Sequence, residues 1–314
     1  MGGARRFVDE LDAYLAESER SVTVLGRDTR LTLSHLVGRE RHAENSMCRI
    51  AANNVSFARG QTKKVLLRNA LHFLSDAERL SLGSAVASRR LRSEAILVRA
   101  MASRADRIIV PSLSMADRVS AKCPGLASRI EVKPHPVSLA PSLPQKIIGP
   151  PRILLPVLYA DFKRLNKTLP VVAAAIDRIE ADSHPGLSFR VTLSADEAAL
   201  CGIGQFRTVV ALGRLSTQQV SNEWGRSSVI VYPTSIESFG YPLAEANLRR
   251  LPVLARGDDW VREIAEDALV PLDLASSATV ERSIRTALGY QPPARDVSIF
   301  NRANYFDTLF DPGR

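Results

Sequence analysis

The fold is decided in residues 231–255, VYPTSIESFGYPLAEANLRRLPVLA. The run SVIVYP that enters it at residue 228 is apolar and β-branched without alternation, as in a strand buried on both faces. Such strands belong to parallel sheets, whose ligands bind at the strands' carboxyl ends. Gly240 permits a positive φ or a close backbone approach, and Pro242 suits the opening of a helix, predicted over 242–249. Residues 239–243 then present free N–H groups and the positive end of a helix dipole, an anion site. Two carboxylates flank that corner, Glu237 in the loop and Glu245 in the first turn, eight positions apart.

Outward from this corner the pattern repeats. Strands are predicted at 152–158, 188–194, 208–213, 228–233 and 251–256, alternating with helices at 168–182, 195–200, 216–225, 242–249, 259–266 and 277–289. Upstream, a helix over 5–18 leads to a strand SVTVLG (21–26) and a strand CRIAANN (48–54). A long basic helical region (62–104) follows, then a strand (107–112), a helix (114–122) and a strand (129–137). Between the two series, SLAPSLPQKIIGPP (138–151) carries four prolines and reads as a linker. The expected organisation is a domain over 1–140, a linker over 141–151, a domain over 152–296 and a final helix within 297–314 that packs back on the first domain. Two doubly wound α/β domains place a ligand cleft between them, at the carboxyl ends of the strands. A carboxylate only accepts hydrogen bonds and can take two, so Glu237 and Glu245 are suited to vicinal hydroxyls. An anion at the helix end with diols on either side describes a nucleotide sugar.

Bulk properties narrow the class. The chain has 314 residues, 45% of them hydrophobic and 24% charged, the balance of a globular protein. No apolar run is long enough to span a bilayer, and the N-terminus lacks a signal-peptide core. Cys48, Cys123 and Cys201 are isolated, without zinc-ligand spacing, so a cytoplasmic protein with reduced thiols is expected. The net charge of +9 lies wholly in residues 1–140, which hold 23 Lys and Arg against 14 Asp and Glu; the remainder holds 19 of each. A basic first half of that kind suits phosphate groups or a peripheral contact with an anionic membrane. Nucleic acid is not expected, because basic and aromatic residues do not interleave and no reader motif is present.

The stretch ESFGYPLAE is similar to the Glu-x7-Glu motif of retaining, group-1 (family-4) glycosyltransferases of the GT-B fold, and the resemblance extends over about 150–270. ADRIIVPSLSMADRV (105–119) resembles the last strand and helix of that family's N-terminal domain. The resemblance implies that Glu245 binds the donor's ribose and Glu237 its sugar, with Phe239, Gly240 and Tyr241 against the sugar and diphosphate. The family also places a basic pair after the first strand of the C-terminal domain. Here that loop is YADFKRLNKTLPVVAAA, and Lys167, partnered by Arg164 or Lys163, is the matching candidate. Fixed cations there stabilise charge building on the departing diphosphate. No metal and no cofactor are implied, and GDDW (257–260) is not a metal-binding DxD motif.

The family opens with a strand, a Gly-Gly loop near the donor phosphates and a helix. This chain begins at the loop, with Gly2 and Gly3, so its N-terminal domain is expected to lack its first strand. Asn53 and Asn54, at the end of CRIAANN, stand where a sheet presents acceptor-binding groups. The family's N-domain histidine has no clear match among His35, His42 and His72, whereas His135 and Pro136 read as hinge geometry. The function expected is transfer of a sugar from a nucleotide-diphosphate donor to a glycan, lipid or small-molecule hydroxyl. The alternative is a truncated or degenerate GT-B protein that binds a partner through its basic domain.

Overall fold

The computed structural model describes residues 3–25, 32–43, 46–82, 89–139, 149–157, 168–294, 296 and 298–311. The chain divides into two compact units. One comprises residues 3–138, 236–239 and 298–314; the other comprises 1–2, 139–235 and 240–297.

Among the described residues of the first unit, four parallel strands, β1 (Cys48–Ala51), β2 (Thr62–Leu66), β3 (Arg107–Val110) and β4 (Ile130–Val132), lie side by side in sequence order. Helices α1 (Gly3–Glu17), α2 (Leu33–His42), α3 (Asp76–Leu82), α4 (Arg89–Ala102) and α5 (Leu113–Lys122) surround them. Two expectations fail here. Residues 62–66 are a strand in mid-sheet, not the start of a helix. Their Val65 and Leu66 are fully buried, and ladders to β1 and β3 on either side outweigh a helix-like spacing of leucines. Residues 21–25 form no strand: they alternate between exposed and half-buried, with no ladder neighbour to satisfy their backbone. Among the described residues β1 is therefore an edge, paired to β2 alone.

Among the described residues the second unit holds six parallel strands in the order β10-β9-β8-β5-β6-β7. They are β5 (Arg152–Leu155), β6 (Ser188–Val191), β7 (Val209–Ala211), β8 (Val229–Tyr232), β9 (Val253–Ala255) and β10 (Leu269–Pro271), the last not expected from sequence. The helices are α6 (Leu169–Asp182), α7 (Ala195–Leu200), α8 (Thr217–Gly225), α9 (Tyr241–Arg249), α10 (Asp259–Ala265) and α11 (Ser277–Gly289). From β5 the chain winds outward through β6 and β7, then returns to the other side of β5 and winds through β8, β9 and β10. The switch point of the sheet thus lies between β5 and β8, where the family of doubly wound sheets binds ligands. Ile153, Leu155, Val172, Ile176, Phe189, Val229, Val231 and Leu254 form the centre of this core.

The last helix, α12 (Arg302–Phe310), belongs to the first unit. Its Tyr305, Phe306 and Leu309 share one apolar cluster with Phe7 and Tyr14 of α1, Leu66 of β2 and Ile109 of β3. The buried Lys64 ammonium donates to the Leu309 carbonyl (3.0 Å) and to that of Asp311, satisfying orphan acceptors at the helix end. Burial lowers the Lys64 pKa.

Candidate functional site

All four residues of β8 are buried, and the strand ends beside β5 at the switch point. The chain then runs through residues 233–239 to Gly240, which caps α9 with φ 76°. A Cβ at Gly240 would lie 3.1 Å from the Leu243 side chain and from the Trp260 ring. Glycine is required there twice over, by conformation and by space. Tyr241 and Pro242 open α9; Pro242 carries no N–H, and the Leu243 N–H donates to the Gly240 carbonyl (2.8 Å). Asn247 donates its amide to the Ile264 carbonyl (3.2 Å), which holds α9 against α10. Trp260 of α10 also meets Tyr232 edge-on, with centroids 6.5 Å apart, so the corner stands on an aromatic floor. Glu245 is half-buried in α9, and Glu237 half-buried in the preceding loop.

The two glutamates belong to different units. Residues 236–239 are built into the first unit, and the chain rejoins the second at Gly240. Ile236 lies in the first unit's core with Val55, Leu67 and Ile108. Ser238 donates its hydroxyl to the Arg68 carbonyl (2.6 Å) and accepts at its own carbonyl from the Ser112 hydroxyl (2.9 Å). Phe239 is 2% exposed and packs on His135 and Phe300, with centroids 5.2 and 6.1 Å away. Arg68 follows β2, Ser112 follows β3 and His135 follows β4, so the loop rests on the carboxyl ends of that parallel sheet.

The remaining sequence candidates divide into three groups. Asn53 and Asn54 follow β1 and hold local structure: Asn53 accepts from the Arg39 guanidinium (3.3 Å) and from the Val55 N–H (3.4 Å), and Asn54 accepts from the Arg68 N–H. Gly3 is the first residue of α1. Gly2, Lys163, Arg164 and Lys167 lie outside the described residues. The loop bearing the three basic residues starts where Thr192 pins the end of β5, accepting from the Val157 N–H (2.8 Å) and donating to its carbonyl (2.6 Å). Sequence reasoning missed Ser112, Ser238 and Trp260. The N-cap serine in VPSLS was visible before a helix; nothing local marked the other two.

Of the histidines, His72 sits in a 3-10 turn, where burial lowers its pKa. His135 is buried, and burial together with the Arg68 charge holds its imidazole well below the usual 6.5. Phe7, Phe239 and Tyr305 meet it edge-on, a packing site and not an exposed base.

No family model matches the sequence, and no curated protein does. Solved structures do match. WaaG, a glycosyltransferase involved in lipopolysaccharide biosynthesis, superposes with a TM-score of 0.63 over 98% of this chain and 92% of its own, at 15% identity. Sucrose-phosphate synthase from Thermosynechococcus elongatus gives 0.60 over 98% and 90%, at 13% identity. The chain has the GT-B fold. A putative UDP-N-acetylglucosamine 2-epimerase from Listeria monocytogenes matches equally well, at 0.60 over 98% and 94% with 12% identity. GT-B therefore fixes the scaffold and not the chemistry.

Proposed function

We propose that the chain is a retaining glycosyltransferase that moves a sugar from a nucleotide-diphosphate donor to an acceptor hydroxyl. One observation carries the reading: at the switch point of the sheet, a left-handed Gly240 turns the chain into α9 with Glu237 and Glu245 on either side. In this reading Glu245 holds the ribose and Glu237 the transferred sugar. The α9 N-terminus, with the backbone of Phe239, Gly240 and Tyr241, faces the diphosphate. Lys167, with Arg164 or Lys163, neutralises the leaving group, and Gly2 and Gly3 lie near the phosphates. The bond from the anomeric carbon to the diphosphate oxygen breaks as the bond to the acceptor oxygen forms on the same face. The acceptor's proton passes to the departing diphosphate, so no protein nucleophile is required.

The protein's melting temperature, measured against UDP-, GDP-, ADP- and TDP-sugars, tests the donor. A rise with one nucleotide that Glu245→Ala loses supports the assignment; no rise with any of them favours the degenerate binding module. Product analysis then separates transfer to an added acceptor from epimerisation of the donor, the reaction attributed to one GT-B relative. We also propose that transfer needs no metal; rates that fall in EDTA and recover with a divalent cation would overturn that.

Glycans, lipids and small molecules are all chemically possible acceptors, and a lipid would account for the basic first unit. On α4, Arg89, Arg90 and Arg92 are exposed beside Ile96 (64%) and Leu97 (38%). Such a face fits peripheral attachment of a cytoplasmic enzyme to an anionic membrane. Among the described residues no helix is long and apolar enough to cross one. Sedimentation with phosphatidylglycerol vesicles, but not phosphatidylcholine vesicles, is the expected result, weakened by Arg89→Glu with Arg92→Glu.

A further inference from the structure

We infer that Ser112 and Ser238 are positioning residues: together they clasp the Glu237 loop onto the first unit and so set where Glu237 meets the donor's sugar. The inference rests on the glycosyltransferase reading for its consequence, but the clasp itself is geometric.

Ser112 is 1% exposed and does two jobs with one hydroxyl. It accepts from the Met115 N–H (3.1 Å) as the N-cap of α5, and it donates to the Ser238 carbonyl (2.9 Å). Ser238, 8% exposed, sends its own hydroxyl to the Arg68 carbonyl (2.6 Å). The residue directly after Glu237 is thus held at two points by the loops that follow β2 and β3. Phe239 is wedged beside it against His135 and Phe300. In a buried setting each such bond is costly to leave unmade, so the loop has one favoured position. Glu245, by contrast, is carried by α9 of the other unit. The clasp therefore bears on Glu237 and leaves Glu245, on α9, untouched.

This arrangement separates the effects of mutation on the two ends of the donor. Loss of the clasp should weaken binding of the intact nucleotide sugar about tenfold, the worth of one well-made hydrogen bond. It should leave the corresponding nucleoside diphosphate, which lacks the sugar, bound within about twofold of wild type. Ser238→Ala removes the bond to Arg68 without touching the α5 cap. Ser112→Ala removes clasp and cap together, and Ser112→Thr keeps both.

The experiment has two readouts on the full chain. Hydrogen exchange over residues 236–240 reports the clasp without any ligand. Calorimetry with the best-binding sugar nucleotide from the panel, and with its nucleoside diphosphate, reports the consequence. Faster exchange and a selective loss of sugar-nucleotide affinity in both Ala variants, restored in Ser112→Thr, are expected. Unchanged exchange in both Ala variants would overturn the clasp. Faster exchange with equal loss for both ligands would overturn the positioning role and leave a structural one. If only Ser112→Ala has an effect, capping of α5 explains it and the inference fails. Should wild type bind no sugar nucleotide, the glycosyltransferase reading fails first, taking the positioning role with it, and exchange still decides whether the clasp exists.

Discussion

Gly240 shows how little freedom a single residue has at this corner. Its φ of 76° and the two 3.1 Å approaches to Leu243 and Trp260 mean that any side chain meets both backbone strain and collision. Gly240→Ala should cost about 1–3 kcal/mol, a drop of roughly 2–8 °C in melting temperature, and scanning calorimetry would measure it. His135 makes the opposite kind of demand. Its imidazole is held well below the ordinary 6.5, so between that folded value and 6.5 the unfolded chain binds the extra proton. Stability is then level above about pH 6.5 and falls as pH drops below it, by up to about 1.4 kcal/mol per pH unit for one such group. The buried His72 acts in the same direction. Urea unfolding at pH 7.5 and 5.5 should show a smaller difference for His135→Leu than for wild type. At this scale the sequence was legible where a residue's own geometry decides, as with Gly240 at positive φ and Pro242 at the opening of α9. Ser238 was not legible, because its role depends on Arg68 and Ser112, which lie far away in the chain and close only in the fold.

Among the elements, the second sheet follows the expected alternation closely, since each strand is a short apolar run and each helix has room to declare its period. The first sheet was harder to read. β2 contains Lys63 and Lys64 ahead of Val65 and Leu66, and its leucines continue at a helix-like spacing into the turn that follows. What makes it a strand is its pair of neighbours, which no window of sequence contains. The reverse error at 21–25 has the same cause: β-branched residues favour a strand only when a ladder is available. Lys64 illustrates the point energetically. On sequence it is a surface cation; in the fold it is 1% exposed and ends α12 by binding two carbonyls. Lys64→Met would bury those carbonyls unpaired and should cost about 1–3 kcal/mol, read as a lower urea midpoint with an unchanged slope.

For the molecule as a whole, the GT-B fold was legible outward from one stretch of 25 residues, because the corner after a doubly buried strand marks a doubly wound sheet. Acceptor identity did not follow: Asn53 and Asn54, after β1, accept from the Arg39 side chain and from the Val55 and Arg68 N–H groups. The charge asymmetry between the halves was equally plain from composition, yet it speaks to partners and solubility and not to the reaction.

From Gly3 onward the chain passes between its units at residues 138–139, 235–236, 239–240 and 297–298. This threading sets an order of assembly during synthesis. The second unit has all of its strands and helices once residue 297 has been made, whereas the first waits for residues 236–239 and then for α12 before Phe7, Tyr14, Leu66 and Ile109 are covered. A ribosome-tethered chain ending near residue 151 should expose that apolar cluster, bind chaperone and resist no protease, although it contains nearly all of its unit by length. Supplying residues 152–314 as a separate polypeptide should rescue it. The half that emerges first is thus the half that finishes last.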